Sequence, residues 1–133
     1  MKFKGLNGRI YSIDIRPSKY PVKDENNCKS KFQWRIGQKV KSLYPRDNIL
    51  EDFYVPGEGL YIDFYLPMRQ LAVEANGVQH SSYSDFFHGS KEAFKNSLMR
   101  DTRKIEWCKL NCIKLICIEY NDDDSEIIRK LSR

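Results

Sequence analysis

The sequence predicts an α/β fold with a central mixed sheet flanked by helices. Three observations carry this. Aliphatic and aromatic segments crowd between residues 48 and 75, separated by Pro-Gly and Pro-Met-Arg-Gln turns. Apolar residues recur at helical spacing on either side of them. A late apolar run, CIKLICI at 112–118, reads as one more buried strand.

Taken in order, Arg9–Ile15 alternates enough for a short strand. The stretch 16–29, with two prolines and many polar residues, reads as a loop. Ser30 is placed to cap a helix running to about Leu43, with Phe32, Ile36, Val40 and Leu43 on one face. Gly37 weakens that helix, and Tyr44-Pro45 stops it. Strands are expected at Asn48–Val55, Leu60–Leu66 and Leu71–Ala75. Ser90 opens a long helix to about Leu110, with Phe94, Leu98, Ile105 and Cys108 as its apolar stripe. The strand Cys112–Ile118 follows, and Asp124 is expected to cap a short last helix, Ser125–Leu131.

At 133 residues the chain fits one domain, 1–133, with a core at about 30–120 and an N-terminal strand and loop at 1–29. Hydrophobic residues make up 41% and aromatics 13%, a composition that buries a core and excludes a disordered tail. No apolar run approaches the roughly 20 residues of a membrane span. The first residues lack the apolar region of a signal peptide. The expected location is the cytoplasm. A net charge of +5 favours an anionic partner, of which nucleic acid is the commonest. The four cysteines, Cys28, Cys108, Cys112 and Cys117, lack a C-x2-C knuckle and read as reduced, small apolar residues rather than a zinc cluster. No Gly-rich phosphate loop, nucleophile elbow or C-x-x-C pair points to a small-molecule enzyme.

The informative segment runs from Tyr61 to Gly77. With Pro67–Gln70 as a four-residue hairpin loop, Leu66 pairs with Leu71, Phe64 with Val73 and Asp63 with Glu74. Alternation then puts Ile62, Phe64, Leu66, Leu71, Val73 and Ala75 on one face. Tyr61, Asp63, Tyr65, Ala72, Glu74 and Asn76 fall on the other. Two like charges facing each other at about 5 Å repel by on the order of 3 kcal/mol at an effective dielectric near 20. Two readings fit this pair. Water or a nearby Lys or Arg screens it, or a divalent cation holds it, since a hard ion such as Mg²⁺ takes one or two carboxylates and several waters.

The run Asp63-Phe64-Tyr65-Leu66-Pro67, the run Glu74-Ala75-Asn76-Gly77-Val78-Gln79-His80, and Arg100-Asp101-Thr102-Arg103-Lys104 together resemble the core of the PD-(D/E)XK endonucleases. The likeness is to their compact branch, related to very-short-patch repair and small phage-encoded enzymes, and it covers about residues 30–120. It implies a restriction-endonuclease-like core and Mg²⁺-dependent hydrolysis of DNA phosphodiesters, with Mn²⁺ able to substitute. It also implies a phage or mobile-element origin. Asp63 and Glu74 would ligate the ion, with the carbonyl of Ala75 or Asn76 as a third oxygen. Glu51 or Asp52 would orient a bound water. Some relatives add an acid from the first helix, where this chain offers Gln38.

The chain departs from the family pattern at Asn76, where the motif lysine belongs. Gln79, His80 or Lys104 is placed to take over the water-positioning role, and His80 is favoured because imidazole titrates near neutrality. His88, Lys95, Arg100, Arg103 and Lys104 are candidate contacts to DNA phosphates, although a charged helical face is usually just solvated. Trp34 and Trp107 read as core or rim aromatics. The alternative function is a degenerate nuclease-fold protein that binds nucleic acid without cutting it. The sequence does not separate duplex, nicked, mismatched and branched substrates.

Overall fold

The computed structural model describes residues 1–76 and 102–132. Strands β1 (Lys2–Lys4) and β2 (Ile10–Ser12) form a small antiparallel hairpin. Helix α1 (Lys31–Leu43) is followed by β3 (Leu50–Val55), β4 (Leu60–Leu66) and β5 (Leu71–Asn76). Residues 102–110 are helical, here α2, and β6 (Lys114–Glu119) and α3 (Asp124–Leu131) follow. The main sheet has the order β3-β4-β5-β6, antiparallel through β5, with β6 parallel to β5. The architecture is therefore mixed α/β, with three helices and a four-stranded mixed sheet among the described residues.

Local chemistry explains most boundaries. Ser30 accepts a hydrogen bond from the Gln33 N–H at 3.0 Å, closing the first turn of α1. The cap of α3 is Asp123 rather than Asp124, accepting from Glu126 N–H at 2.8 Å. The last sheet strand begins at Lys114, two residues after the expected Cys112, whose φ of 57° takes it out of extended backbone. β3 starts at Leu50 rather than Asn48. The expected strand at 9–15 shrinks to three residues because its partner is β1, a segment too short and polar to be legible. The long helix expected from Ser90 is described only from residue 102. There Trp107 and Cys108 are the buried positions, while Ile105 of the expected stripe is exposed.

Helices cover both faces of the sheet, and each face has its own core. One core gathers Phe3, Leu50, Phe53, Ile62, Tyr65, Ala72, Trp107 and Cys108 on the α2 side. Its N-terminal hairpin is tied to α2 by Asn111, which exchanges hydrogen bonds of 2.7 and 2.9 Å with the Lys4 backbone. The second core gathers Ile36, Val40, Phe64, Leu66, Leu71, Val73, Ile116, Ile118 and Ile127 between the sheet, α1 and α3. Gly37 has a packing role there, since a Cβ at this position would stand 3.0 Å from the Phe64 ring.

The expected faces need correction before Asp63, where Ile62 takes the side expected of Tyr61 and Tyr61 is exposed on the other. Phe64, Leu66, Leu71 and Val73 share a core as alternation requires, but Ile62 belongs to the opposite core, with Tyr65 and Ala72. The pleat inverts between Ile62 and Phe64. β3 inverts in step: Leu50, Phe53 and Val55 share one core although Leu50 and Phe53 are an odd number of residues apart. The register is unbroken on both sides, pairing Glu51 with Phe64 and Phe53 with Ile62, so Asp52 stands opposite Asp63 at the inversion. Asp52 has φ 53°, a left-handed conformation that aspartate tolerates better than most side chains.

Candidate active site

The inversion opens the ladder between β4 and β5. Backbone pairing runs from Leu66–Leu71 to Phe64–Val73 and stops. The next rung, Asp63 with Glu74, is made by side chains. Glu74 Oε2 accepts from the Asp63 N–H at 2.7 Å, and Asp63 Oδ2 accepts from the Ala75 N–H at 2.8 Å. Each carboxylate replaces a missing main-chain acceptor, and the pair occupies the gap between the strands. Both are buried, Asp63 at 8% and Glu74 at 7% exposure.

The remaining oxygens meet lysines arriving from the two faces of the sheet. Lys104 of α2 donates to Glu74 Oε1 at 2.5 Å. Lys29, just before α1, reaches Asp63 Oδ1 at 3.3 Å and Asp52 Oδ1 at 3.0 Å. Asp52 also pairs with Lys23 at 2.6 Å. Three acids and three lysines thus form a continuous row. Burial pushes the Glu74 carboxyl up, and the nearby Asp63 charge pushes it further. Lys104 pulls the other way, and the result is about 7 against an ordinary value of 4.5. For Asp52, burial is outweighed by hydrogen bonds from Lys23, Lys29 and Gln33, which hold its carboxyl below the usual range.

Glu51 is committed elsewhere. It is 2% exposed, and its oxygens accept from Lys23 N–H at 2.8 Å, Gln33 Nε2 at 2.8 Å and Cys28 Sγ at 3.1 Å. The α1 side chain that reaches the acids is Gln33, bonded to both Glu51 and Asp52, not Gln38. The period of α1 placed Gln33 just below Ile36 on the buried face, which is the signal that would have found it. Asn76 donates to Glu119 Oε1 at 3.1 Å, at the far end of β5. Ala75, expected as an oxygen donor, contributes its N–H to Asp63. Arg103, expected at phosphate, donates to the Glu58 carbonyl at 2.7 Å and approaches the Glu58 carboxylate. Gln79, His80, His88, Lys95 and Arg100 lie outside the described residues.

Two viral proteins match part of the chain. An uncharacterized protein of Invertebrate iridescent virus 3 is 41% identical over 73 residues, 55% of this chain and 38% of its own length. An uncharacterized protein of Invertebrate iridescent virus 6 is 43% identical over 65 residues, 49% of this chain and 33% of its own length. The chain thus spans about a third of the length of these curated relatives. No family model and no solved structure matches it.

A cleft of about 150 Å³ leads to Glu74, lined also by Asn76, Lys104, Ile105, Leu115 and Cys117. Such a volume takes a few waters or a hydrated ion; small-molecule sites are typically about 300 Å³ or more. Among the described residues no three His, Cys, Asp or Glu side chains are grouped to hold a metal. The donor set is instead two hard carboxylates, of which Glu74 lines the cleft while the outward oxygen of Asp63 turns to Lys29. That suits Mg²⁺, which retains most of its waters and takes one or two carboxylates, and it suits neither zinc nor a closed calcium cage. Lys29 and Lys104 now compensate the charge that such an ion would compensate.

Proposed function

We propose that this chain is a metal-dependent nuclease of the PD-(D/E)XK type, with a restriction-endonuclease-like core, and that Asp63 and Glu74 hold its Mg²⁺ or Mn²⁺. The observation that carries the reading is the side-chain rung: two carboxylates are spent where main-chain pairing would have been cheaper and uncharged. Lys29 and Lys104 offset the two charges, but a buried ion pair costs about as much desolvation as it returns, so stability alone gives the sheet little reason to place them there.

When bound, the ion supplies an acidified water and a positive charge for the scissile phosphate. The chain's own groups do the rest. Asp63 and Glu74 are fixed by the Ala75 and Asp63 N–H groups, so their outward oxygens are preset rather than free to rotate. Lys104, in contact with Glu74, takes the post that Asn76 leaves vacant, orienting a water beside the carboxylate or steadying charge on the phosphate. Glu74 needs its ionised form to hold a cation, so binding strengthens as pH rises through about 7.

A second reading, a protein that binds nucleic acid without cutting, is favoured by Asn76 turning to Glu119 and by the lysines that already satisfy both acids. One experiment separates the two. Purified protein is incubated with Mg²⁺ or Mn²⁺ and a panel of plain, nicked, mismatched, branched and single-stranded DNAs. The nuclease reading expects metal-dependent cleavage that Asp63→Ala and Glu74→Ala each abolish. Binding with no cleavage of any substrate in either metal supports the second reading.

A further inference from the structure

The β1–β2 hairpin holds most of the chain's unbalanced charge. Residues 1–13 include Lys2, Lys4 and Arg9 and no acid, so they supply three of the net five positive charges. All three side chains are exposed, and among the described residues none of them is in an ion pair. The lysines beside the acids differ, since Lys23, Lys29 and Lys104 are each already paired. Lys2 pairs with Ser12 and Lys4 with Ile10, and Phe3 between them turns into the core. Alternation therefore puts Lys2, Lys4, Ile10 and Ser12 on one outward face. Two residues along a strand is about 7 Å. A DNA strand places a phosphate about every 3.4 Å of its axis, so the two lysines are spaced for separate phosphates.

The hairpin is mounted firmly beside α2. Phe3 packs on Trp107 with ring centroids 5.4 Å apart, and Asn111 bonds the Lys4 backbone in both directions at 2.7 and 2.9 Å. The Leu6 N–H donates to Glu58 at 2.8 Å, and a Cβ on Gly57 would strike the Tyr11 ring at 2.3 Å. Trp107 and Asn111, four apart, form the row of α2 that meets the hairpin, while Lys104 and Ile105 line the Glu74 cleft. Hairpin and cleft thus border one helix on the same face of the sheet. A helix with its side chains is about 10–12 Å across. On α2 itself exposed Lys109 is offset by exposed Glu106, so within the described part of this face the unbalanced charge belongs to the hairpin. Unlike Lys104, the hairpin cations have no ion pair to give up when an anion arrives.

We propose that the β1–β2 hairpin is a phosphate-backbone anchor, on which Lys2, Lys4 and Arg9 hold a nucleic-acid strand that reaches the Glu74 cleft across α2. The contacts are to charge and not to bases, so the anchor is indifferent to sequence. A lipid surface fits less well. The outward face offers one apolar side chain, Ile10, where interfacial binding buries a broad apolar face. The inference rests on the nuclease reading for where the held strand is cut, but not for the anchoring itself.

The test measures equilibrium binding of a fluorescent blunt duplex, in EDTA, over about 50–200 mM salt. It compares the full chain with three triple variants. K2Q/K4Q/R9Q removes the hairpin charge, and K2R/K4R/R9K keeps it. K31Q/K41Q/R46Q removes the same charge from exposed positions on and just after α1, which packs on the other face of the sheet. Vesicles of phosphatidylserine are the lipid control. The anchor expects K2Q/K4Q/R9Q to bind DNA about tenfold or more weakly near 0.1 M salt and to lower the logarithmic salt slope by about 2 to 3. The other two triples should stay within about threefold of the full chain. Thermal melting confirms that each variant is folded. Equal losses in the hairpin and α1 triples, or no loss in either, overturn the proposal. Hairpin-dependent binding to the vesicles but not to DNA overturns it as well. Hairpin-dependent DNA binding without cleavage in any metal would remove the nuclease reading and keep the anchor. Metal-dependent cleavage by a K2Q/K4Q/R9Q chain that binds normally would do the reverse.

Discussion

Two adjacent rungs of the same strand pair differ in everything but position. Phe64 with Val73 is a regular backbone-bonded rung, fully buried, with both side chains in one core. Asp63 with Glu74, one residue on, has side chains in place of main-chain bonds and lysines in place of apolar neighbours. The first rung is what holding a sheet together looks like. The second repeats none of it and sits where the pleat inverts and Asp52 takes a left-handed backbone. Conflict among local rules confined to one rung marks a place shaped by something other than stability.

Substitution on each rung should separate the two roles. The largest effect is expected at the polar rung. Asp63→Ala should lower metal-dependent cleavage about a thousandfold or more, the several kcal/mol that a positioned cation contributes, while costing only about 1–3 kcal/mol of stability for the Ala75 N–H left unpaired. On the apolar rung, Phe64→Ala should cost about 3–5 kcal/mol of unfolding free energy by chemical denaturation, because it empties a closely packed site. If Asp63→Ala unfolded the protein and Phe64→Ala spared it, the contrast between the rungs would be wrong.

Lys104→Ala should destabilise by about 3 kcal/mol near neutral pH, since it leaves the buried Glu74 without its cation. Lys104→Arg should recover much of the stability without restoring full cleavage, because a planar guanidinium does not replace an ammonium's position. A smaller effect follows from the Glu74 carboxyl itself. Its folded value is raised above that of a free glutamate, so its contribution to stability is full below about 4.5 and is lost as pH rises through about 7. Denaturant midpoints measured from pH 5 to 8 should therefore fall across that window, and Glu74→Gln should flatten the fall. The smallest effect is expected at Gly37→Ala. The helix gains about 1 kcal/mol of propensity, but the new Cβ presses the Phe64 ring at 3.0 Å, and the net change should be a modest loss.

Much of this contrast was legible in the residues. Pro67 and Gln70 bounded the β4–β5 hairpin, so its register followed from loop length alone, and the two acids fell next to each other as that register implies, joined by a side-chain hydrogen bond beyond the last backbone rung. Ser30 announced α1 through its side chain. The pleat inversion was not legible, because alternation assumes an unbroken pleat, and nothing in Tyr61-Ile62-Asp63-Phe64 reveals that Ile62 and Phe64 turn to different cores. The partners of the acids were hidden for a related reason. Lys29, Gln33 and Lys104 come from 34, 18 and 30 residues away in sequence, where only tertiary packing selects one lysine or glutamine from many. Charge patterning along α2 suggested phosphate contacts for Arg103 and Lys104, but each is drawn inward by a buried glutamate that the helix sequence does not contain.

The most direct measurement is calorimetric titration of the metal-free protein with Mn²⁺ at pH 8, beside Asp63→Asn and Glu74→Gln at matched concentration. The account expects the unsubstituted chain to take up the ion, both variants to lose most of that uptake while staying folded, and Lys29→Ala to bind more tightly as a competing cation leaves. Uptake by both variants equal to that of the parent chain, or no uptake by the parent at any concentration short of precipitation, would contradict it.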